Sequence, residues 1–415
     1  MQFYPTTATD NLLDPSFLAN PYPTFAFLRE HDPIHWNPYF NFWMVTRYDD
    51  ILEIFQDKSF HSAPLSFVPV LEALPEEERN KLIAISAYLT NFMQAMDDPE
   101  HARQRQLVHR AFTPRVVERL RGRIEVIVTE IVDQLIAKKT FDIIEDLAFP
   151  LPSTVILDVL GIPHELREYV RKSTHVISDL LTLLTPVPPA PGQLEQMAAI
   201  LQDAAEQLKP ILAERREHPQ EDLLSTLVQA EENGERLSEQ ELLIIVTMLL
   251  FAGHETTTNL IGNGLYALLS HPDQRALLQQ DPSLVPSAIE EMLRFDSPVS
   301  FIFRFLAEDK EFKGKSLHRG DRIAIVLSAG NHDTVMGENP EVFDITRSSG
   351  PKRLISFGYG AHYCIGAALA RMESQIALTQ LIHRLPDLQL SSPAVSWRPN
   401  FLLRGLTALP VTTQP

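Results

Sequence analysis

The residue with the widest chemical choice in this sequence is Cys364, the only cysteine among 415 residues. It lies in the stretch Phe357 to Glu373, between a glycine-rich turn and a run of small, helix-favouring residues. Gly358, Gly360 and Gly366 free the backbone for a tight bend and let it approach a flat ligand closely. The residues after the cysteine read as a helix, so the sulfur sits at a helix start, where partial positive charge favours a thiolate. Such a thiol can be a nucleophile, a metal ligand or an inert core thiol. A nucleophile needs a separate oriented base, and His362 is only two residues away with no third member in view. A lone cysteine forms no intrachain disulfide and excludes zinc or iron–sulfur sites built on several thiolates.

Three other constellations carry chemistry. Ala252-Gly-His-Glu-Thr-Thr257 interrupts a run that is apolar on every face from Leu242 to Phe251. An acid beside an alcohol is costly to bury there without partners, and Gly253 gives up about 1 kcal/mol of helix stability against alanine. The plain reading is a kink in which Thr256 bonds back to its own helix. A zinc-binding His-Glu-x-x-His helix is excluded because position 258 is threonine. His101 and Arg105 share one helical face at i, i+4, and Glu291 and Arg294 form an i, i+3 pair.

The elements that must position these residues are mostly helical. Helices are expected at Tyr22 to Glu30, Ile51 to Asp57 (capped by Asp49 or Asp50), Pro99 to about Ala137 with a break at Thr113-Pro114, Leu151 to Leu160, Glu165 to Leu184 and Gln193 to Arg216. Ser238-Glu-Gln-Glu241 is a capping box that opens a helix running to about Ser270, where His271-Pro272 ends it. Pro286 to Arg294 and the residues after Cys364, to about Arg384, are the last helices. Short strands are expected at Ile34 to Trp36, Phe42 to Val45, Phe141 to Ile143 and Arg322 to Leu327. His61 to Phe92 reads as irregular, and Pro186 to Gly192 as a non-helical joint.

Composition narrows the classes. With 36 Lys+Arg against 54 Asp+Glu, the formal charge is −18. That argues against general nucleic-acid binding and against adhesion to anionic membranes. The N-terminus shows neither a basic n-region nor an apolar h-region, and the apolar run from Leu242 to Gly253 is too short to span a bilayer. A cytoplasmic protein without a membrane anchor is expected, its residues 1–415 forming one domain.

The pattern Phe-Gly-x-Gly-x-His-x-Cys-x-Gly resembles the haem-binding loop of the cytochrome P450 family, whose cysteine thiolate is the proximal ligand of haem iron. With it come, in the family's order, the acid–alcohol helix, the Glu-x-x-Arg pair and a matching Phe343-Asp-Ile-Thr-Arg347 loop. The resemblance covers the chain from Asn20 to the C-terminal strands and implies a mainly α fold with a smaller β-rich lobe, the P450 fold. Cys364 becomes the iron ligand, with the amides of Ile365 and Gly366 on the sulfur and Phe357 shielding it. Gly358 belongs to the haem-binding turn. His101, Arg105, Arg304 and His362 are assigned to the haem propionates. Ala252 and Gly253 leave room for dioxygen, Thr256 hydrogen-bonds it, and Glu255 relays protons. Glu291, Arg294 and Arg347 form a structural triad.

The activity this implies is insertion of one oxygen atom of O2 into an apolar small molecule, with heme b as cofactor. A chain of this length carries no flavin or nicotinamide domain, so electrons come from a separate ferredoxin or flavodoxin with its reductase. A patch of Arg103, Arg110, Lys352 and Arg353 is a candidate dock for such an acidic donor. Leu65 to Phe92, Val176 to Pro191, Leu249 to Ala252, Pro298 to Ile302 and Leu402-Leu403 are nominated to face the substrate. A peroxide-driven peroxygenase and a non-enzymatic haem-thiolate sensor are the alternatives. Glu255 and Thr256 favour the monooxygenase over both. One turn departs from the family: His332 and Thr334 stand where it usually has arginine and proline.

Overall fold

Local signals account for most of the helix starts in the computed structural model, which describes residues 9–62, 74–109, 112–168, 171–172, 176–178, 189–232, 235–347 and 352–413. Thr113 caps Pro114–Arg119 through its side chain, which accepts from the Val116 amide. The capping box closes as expected: the Ser238 amide donates to Glu241 Oε2 at 2.7 Å, and the Glu241 amide donates to Ser238 Oγ at 3.2 Å. The helix it opens, Glu239–Ser270, is long and apolar enough to cross a membrane, but 83% of its most apolar window is buried in protein. Two expectations are corrected. The helix near Asp49 is Tyr48–Gln56, and its first amide is capped by Asp333 Oδ2 at 3.0 Å, not by Asp49 or Asp50. The stretch read as irregular contains a helix, Glu76–Thr90. Its apolar residues make no clean stripe, since Leu82 and Ile85 are buried while Ile83 is half exposed.

Contacts divide the chain into two compact units. One holds residues 1–60, 121–152 and 256–415; the other holds 61–120 and 153–255. The first is built on a five-stranded sheet. Ile34–Asn37 pairs antiparallel with Phe42–Val45, which pairs parallel with Arg322–Val326, which pairs antiparallel with Phe301–Leu306. Ile34, Val45, Ile323 and Ile325 pack on Tyr48, Ile51 and Ile54 of the helix beside them. Near both chain ends, buried Arg404 donates to Asp296 Oδ1 at 2.5 Å, to the Leu18 carbonyl at 2.6 Å and to the Ala19 carbonyl at 3.2 Å. Its guanidinium lies 3.5 Å from the Trp397 ring centroid.

The second unit contains Glu76–Thr90, Glu100–His109 and Gln193–Glu217, most of Pro150–Leu160 (from Ser153 on) and the first half of the long helix. One clamp joins three of its segments. Gly161, at φ +71°, ends a helix, and a Cβ there would lie 2.1 Å from Asp222 Oδ2. Arg215 donates to that oxygen at 2.6 Å and to the Gly161 carbonyl at 2.8 Å, while Asp222 Oδ1 caps Leu223–Gln229 through the Ser225 amide. Arg215 is 5% exposed, so its charge depends on Asp222.

Candidate haem-thiolate site

The cysteine loop belongs to the first unit. Gly358 and Gly360 both take positive φ, +72° and +68°, which glycine adopts without strain. The Cys364 amide donates to the Phe357 carbonyl at 2.9 Å, tying the two ends of the turn together. The helix proper begins at Ala367 with Gly366 as its N-cap, so Cys364 lies two residues before the capping position rather than at the helix start. The thiol is exposed, and a Cβ on Gly366 would meet nothing within 4 Å. A soft, accessible sulfur beside an open glycine backbone fits a flat, metal-bearing group approaching the loop. Among the described residues no three His, Cys, Asp or Glu side chains gather into another metal-binding cluster.

Arg304 lies in the strand Phe301–Leu306, is 7% exposed, and donates from Nη1 to the Phe303 carbonyl at 2.8 Å. Its guanidinium stands 5.5 Å from the Phe55 ring centroid. His362 is half-buried in the single 3-10 turn Gly360–His362. In the second unit, His101 is buried, with Nδ1 3.4 Å from Asp98 Oδ1. Burial lowers its pKa from the ordinary histidine value; Asp98 opposes this, and the nearby Arg105 charge reinforces it. His101 and Arg105 are therefore neighbours, as the i, i+4 spacing requires.

On the long helix, Ala252, Gly253 and Thr256 are only partly buried, while His254, Glu255 and Thr257 to Leu260 are buried. Positions 252, 253 and 256 lie on one helical face, so an open stripe of small residues crosses an otherwise enclosed helix. The wall behind it is close: a Cβ added to Gly253 would come within 3.0 Å of Ile156 Cδ1. Glu255, at 1% exposure, is turned off this stripe.

The structural triad assembles. Arg294 donates to Glu291 through Nε at 2.7 Å and Nη2 at 2.8 Å, and Arg347 Nε reaches Glu291 Oε2 at 3.2 Å. Arg294 also holds the carbonyls of Asn331, Pro340 and Val342. His332 packs well in place of the family's arginine: it stacks on Tyr22 at 4.3 Å, meets Glu341 at 2.9 Å and contacts the Phe295 carbonyl at 2.9 Å. Thr334 opens a 3-10 turn capped by Asp333.

The basic patch does not stand as expected. Arg103 is ion-paired with Glu241, and Lys352 Nζ lies 2.7 Å from Asp49 Oδ1, because so acidic a chain supplies local partners. Arg353 stacks on the Tyr363 ring at 4.1 Å, and Arg110 lies outside the described residues. Of the segments nominated to face substrate, residues 65–73 and 179–188 also lie outside them. Two others are adjacent: Val299 bridges Leu403, and the Ser300 amide donates to the Leu402 carbonyl at 2.8 Å.

Sequence reasoning missed Arg371 and Glu290. Arg371 pairs with Glu290 at 2.5 and 3.0 Å and lies 4.4 Å from the Phe357 ring centroid. The available signal was spacing: Arg371 lies four residues, about one turn, into the helix that follows the cysteine loop, so it stays close to the loop.

The sequence matches the family model described as Cytochrome P450 over residues 70–391. It is 38% identical over 408 residues to the polyketide biosynthesis cytochrome P450 PksS of Bacillus subtilis, covering 95% of this chain and 96% of that protein. It is 40% identical over 421 residues to the cytochrome P450 monooxygenase PikC of Streptomyces venezuelae, covering 98% of this chain and 95% of PikC. Among solved structures, P450BioI in complex with an acyl carrier protein ligated to hexadec-9Z-enoic acid superposes with a TM-score of 0.87 at 35% identity. That match covers 96% of this chain and 99% of P450BioI.

Proposed function

This chain belongs to the cytochrome P450 family and is a haem-dependent monooxygenase, and from that premise we propose that Cys364 is the thiolate ligand of its iron. One observation carries the assignment: the sole cysteine presents an exposed thiol on a glycine turn whose ends are tied by the Cys364–Phe357 hydrogen bond. Bound haem, which we take to be heme b, supplies the activation of dioxygen and the oxidation itself.

The chain's own residues do the rest. Cys364 holds the metal on a loop that Phe357 closes. The propionates take His101, Arg105, Arg304 and His362, all cationic or hydrogen-bonding groups suited to carboxylates. Ala252 and Gly253 keep side-chain bulk off the open stripe. Thr256, on the same stripe, holds a proton at Oγ1 for the reacting oxygen, and Glu255 replenishes it. Residues 1–415 act together as one catalytic domain.

Reduction equivalents come from a ferredoxin or flavodoxin with its reductase, and the enzyme works in the cytoplasm. The substrate is an apolar small molecule; Pro298 to Ile302 and Leu402-Leu403 offer it aliphatic and aromatic side chains. PksS, named for polyketide biosynthesis, and P450BioI, solved with an acyl-loaded carrier protein, support long apolar acyl or polyketide chains as the class to try first.

The test is the spectrum of the reduced, carbon monoxide-bound protein. The wild type is expected to show the red-shifted Soret band of a thiolate-ligated haem, and Cys364→Ala to lack it. Persistence of that band in the variant overturns the assignment.

A further inference from the structure

Two aromatic side chains of the loop precede Cys364, Phe357 at its start and Tyr363 immediately before the cysteine. Their rings stand 6.3 Å apart at 63°, and the Phe357 carbonyl holds the Cys364 amide. A single guanidinium touches both rings. Arg371 Nη1 donates to Tyr363 Oη at 3.3 Å, and its central carbon lies 4.4 Å from the Phe357 centroid. The same group is anchored by a two-point pair with Glu290, on the helix Val285–Phe295. Arg353 stacks on Tyr363.

As an ion pair alone this arrangement has little to offer: the two side chains are 27% and 39% exposed, where such pairs contribute about 0–1 kcal/mol. Its geometry does more. A planar fork can bond two carboxylate oxygens, donate to a phenol and lie over a ring at once; a lysine ammonium cannot. The helix carrying Arg371 begins at Ala367, three residues after Cys364, so the group is tied to the loop from its far end.

We propose that Arg371, anchored by Glu290, is a positioning residue for the Cys364 thiolate, holding Phe357 and Tyr363 as the two walls that fix the direction of the sulfur. The inference rests on Cys364 being the iron ligand. The experiment uses the purified haem-loaded protein and follows the thiolate-ligated Soret band of the reduced carbon monoxide complex over time. Arg371→Ala is expected to lose the band at least about fivefold faster than wild type, the effect of roughly 1 kcal/mol. Arg371→Lys, which keeps the charge without the fork, restores less than half of the difference. Glu290→Gln moves the rate in the same direction, and it carries the test if Arg371→Ala does not retain haem. Arg384→Ala serves as the control on the same helix, because its ion pair is with Asp133; its decay stays at the wild-type rate. A wild-type decay rate in Arg371→Ala, or in Glu290→Gln where that variant carries the test, overturns the proposal, as does full restoration by lysine. Absence of the band from the wild type would instead sink the ligand assignment itself.

Discussion

Replacing Glu291 by alanine removes the acceptor around which Arg294 and Arg347 are arranged. Arg294 is 3% exposed, so its charge cannot be rehydrated without moving the segment over it. Breaking a buried pair by removing one partner costs about 3–5 kcal/mol, because a desolvated charge is left behind. Two features pull the value toward the lower end. Arg294 keeps its bonds to the carbonyls of Asn331, Pro340 and Val342, and Arg347 is less buried than Arg294. Against that, the Asp344 amide loses its 2.9 Å bond to Glu291 Oε1. We expect a loss of about 3 kcal/mol. With an unfolding entropy near 0.9 kcal/mol/K for a chain of this size, the melting temperature should fall by about 3–4 °C. The assay is a thermal melt of the haem-loaded protein followed by circular dichroism, with Arg294→Ala and the double variant completing a cycle. The double variant should be less than additive, since it leaves no orphaned Arg294 charge. A melting temperature within about 1 °C of wild type, or strict additivity, would refute the reasoning.

Two further outcomes follow from other buried groups. Gly161→Ala forces a Cβ into Asp222 at a left-handed φ, which costs about 1–2 kcal/mol for the backbone alone and more for the displaced Arg215 partner; unchanged melting would show that the clamp does not matter. Burial pushes the Glu373 carboxyl well above the ordinary carboxylate range, so the folded protein keeps a proton there that the unfolded chain releases. Its contribution is complete below the unfolded value of 4.5 and is lost as pH rises toward the folded value. Glu373→Gln should therefore gain stability relative to wild type on going from pH 5 to pH 8 in urea titrations, by up to about 1.4 kcal/mol per pH unit; a pH-independent difference would contradict this.

What could be read in advance was local. The Ser238–Glu241 capping box, Thr113 before Pro114 and the i, i+3 Glu291–Arg294 pair all draw on residues a few positions apart, and each has its expected geometry. The glycine turn before Cys364 was legible too, but its helix starts three residues beyond the sulfur rather than at it. What escaped depends on partners far along the chain. Asp333 caps the helix at Tyr48 across 285 positions, so a search near Asp49 and Asp50 looks in the wrong place. Glu290 meets Arg371 across 81 positions. Arg103 and Lys352 read as free cations until Glu241 and Asp49 are brought to them by the fold. His332 shows the same limit from the other side. Its difference from arginine is plain in the sequence, but its ring stack on Tyr22 and its bond to Glu341 come from elements on either side of it.

The station built around Arg404 bears on how the protein is made. Arg404 is synthesised 386 positions after Leu18, the first of the two backbone carbonyls it holds. The carbonyls of Leu18 and Ala19 and the carboxylate of Asp296, synthesised much earlier, must wait for it. The parallel pairing of Phe42–Val45 with Arg322–Val326 is likewise unavailable until most of the chain has emerged. Domains often fold from the N-terminus during synthesis; this N-terminal segment cannot finish that way. Its last hydrogen bonds close only once Arg404 has emerged, and a chain truncated before Arg404 would leave Leu18 and Ala19 without the side chain that holds them.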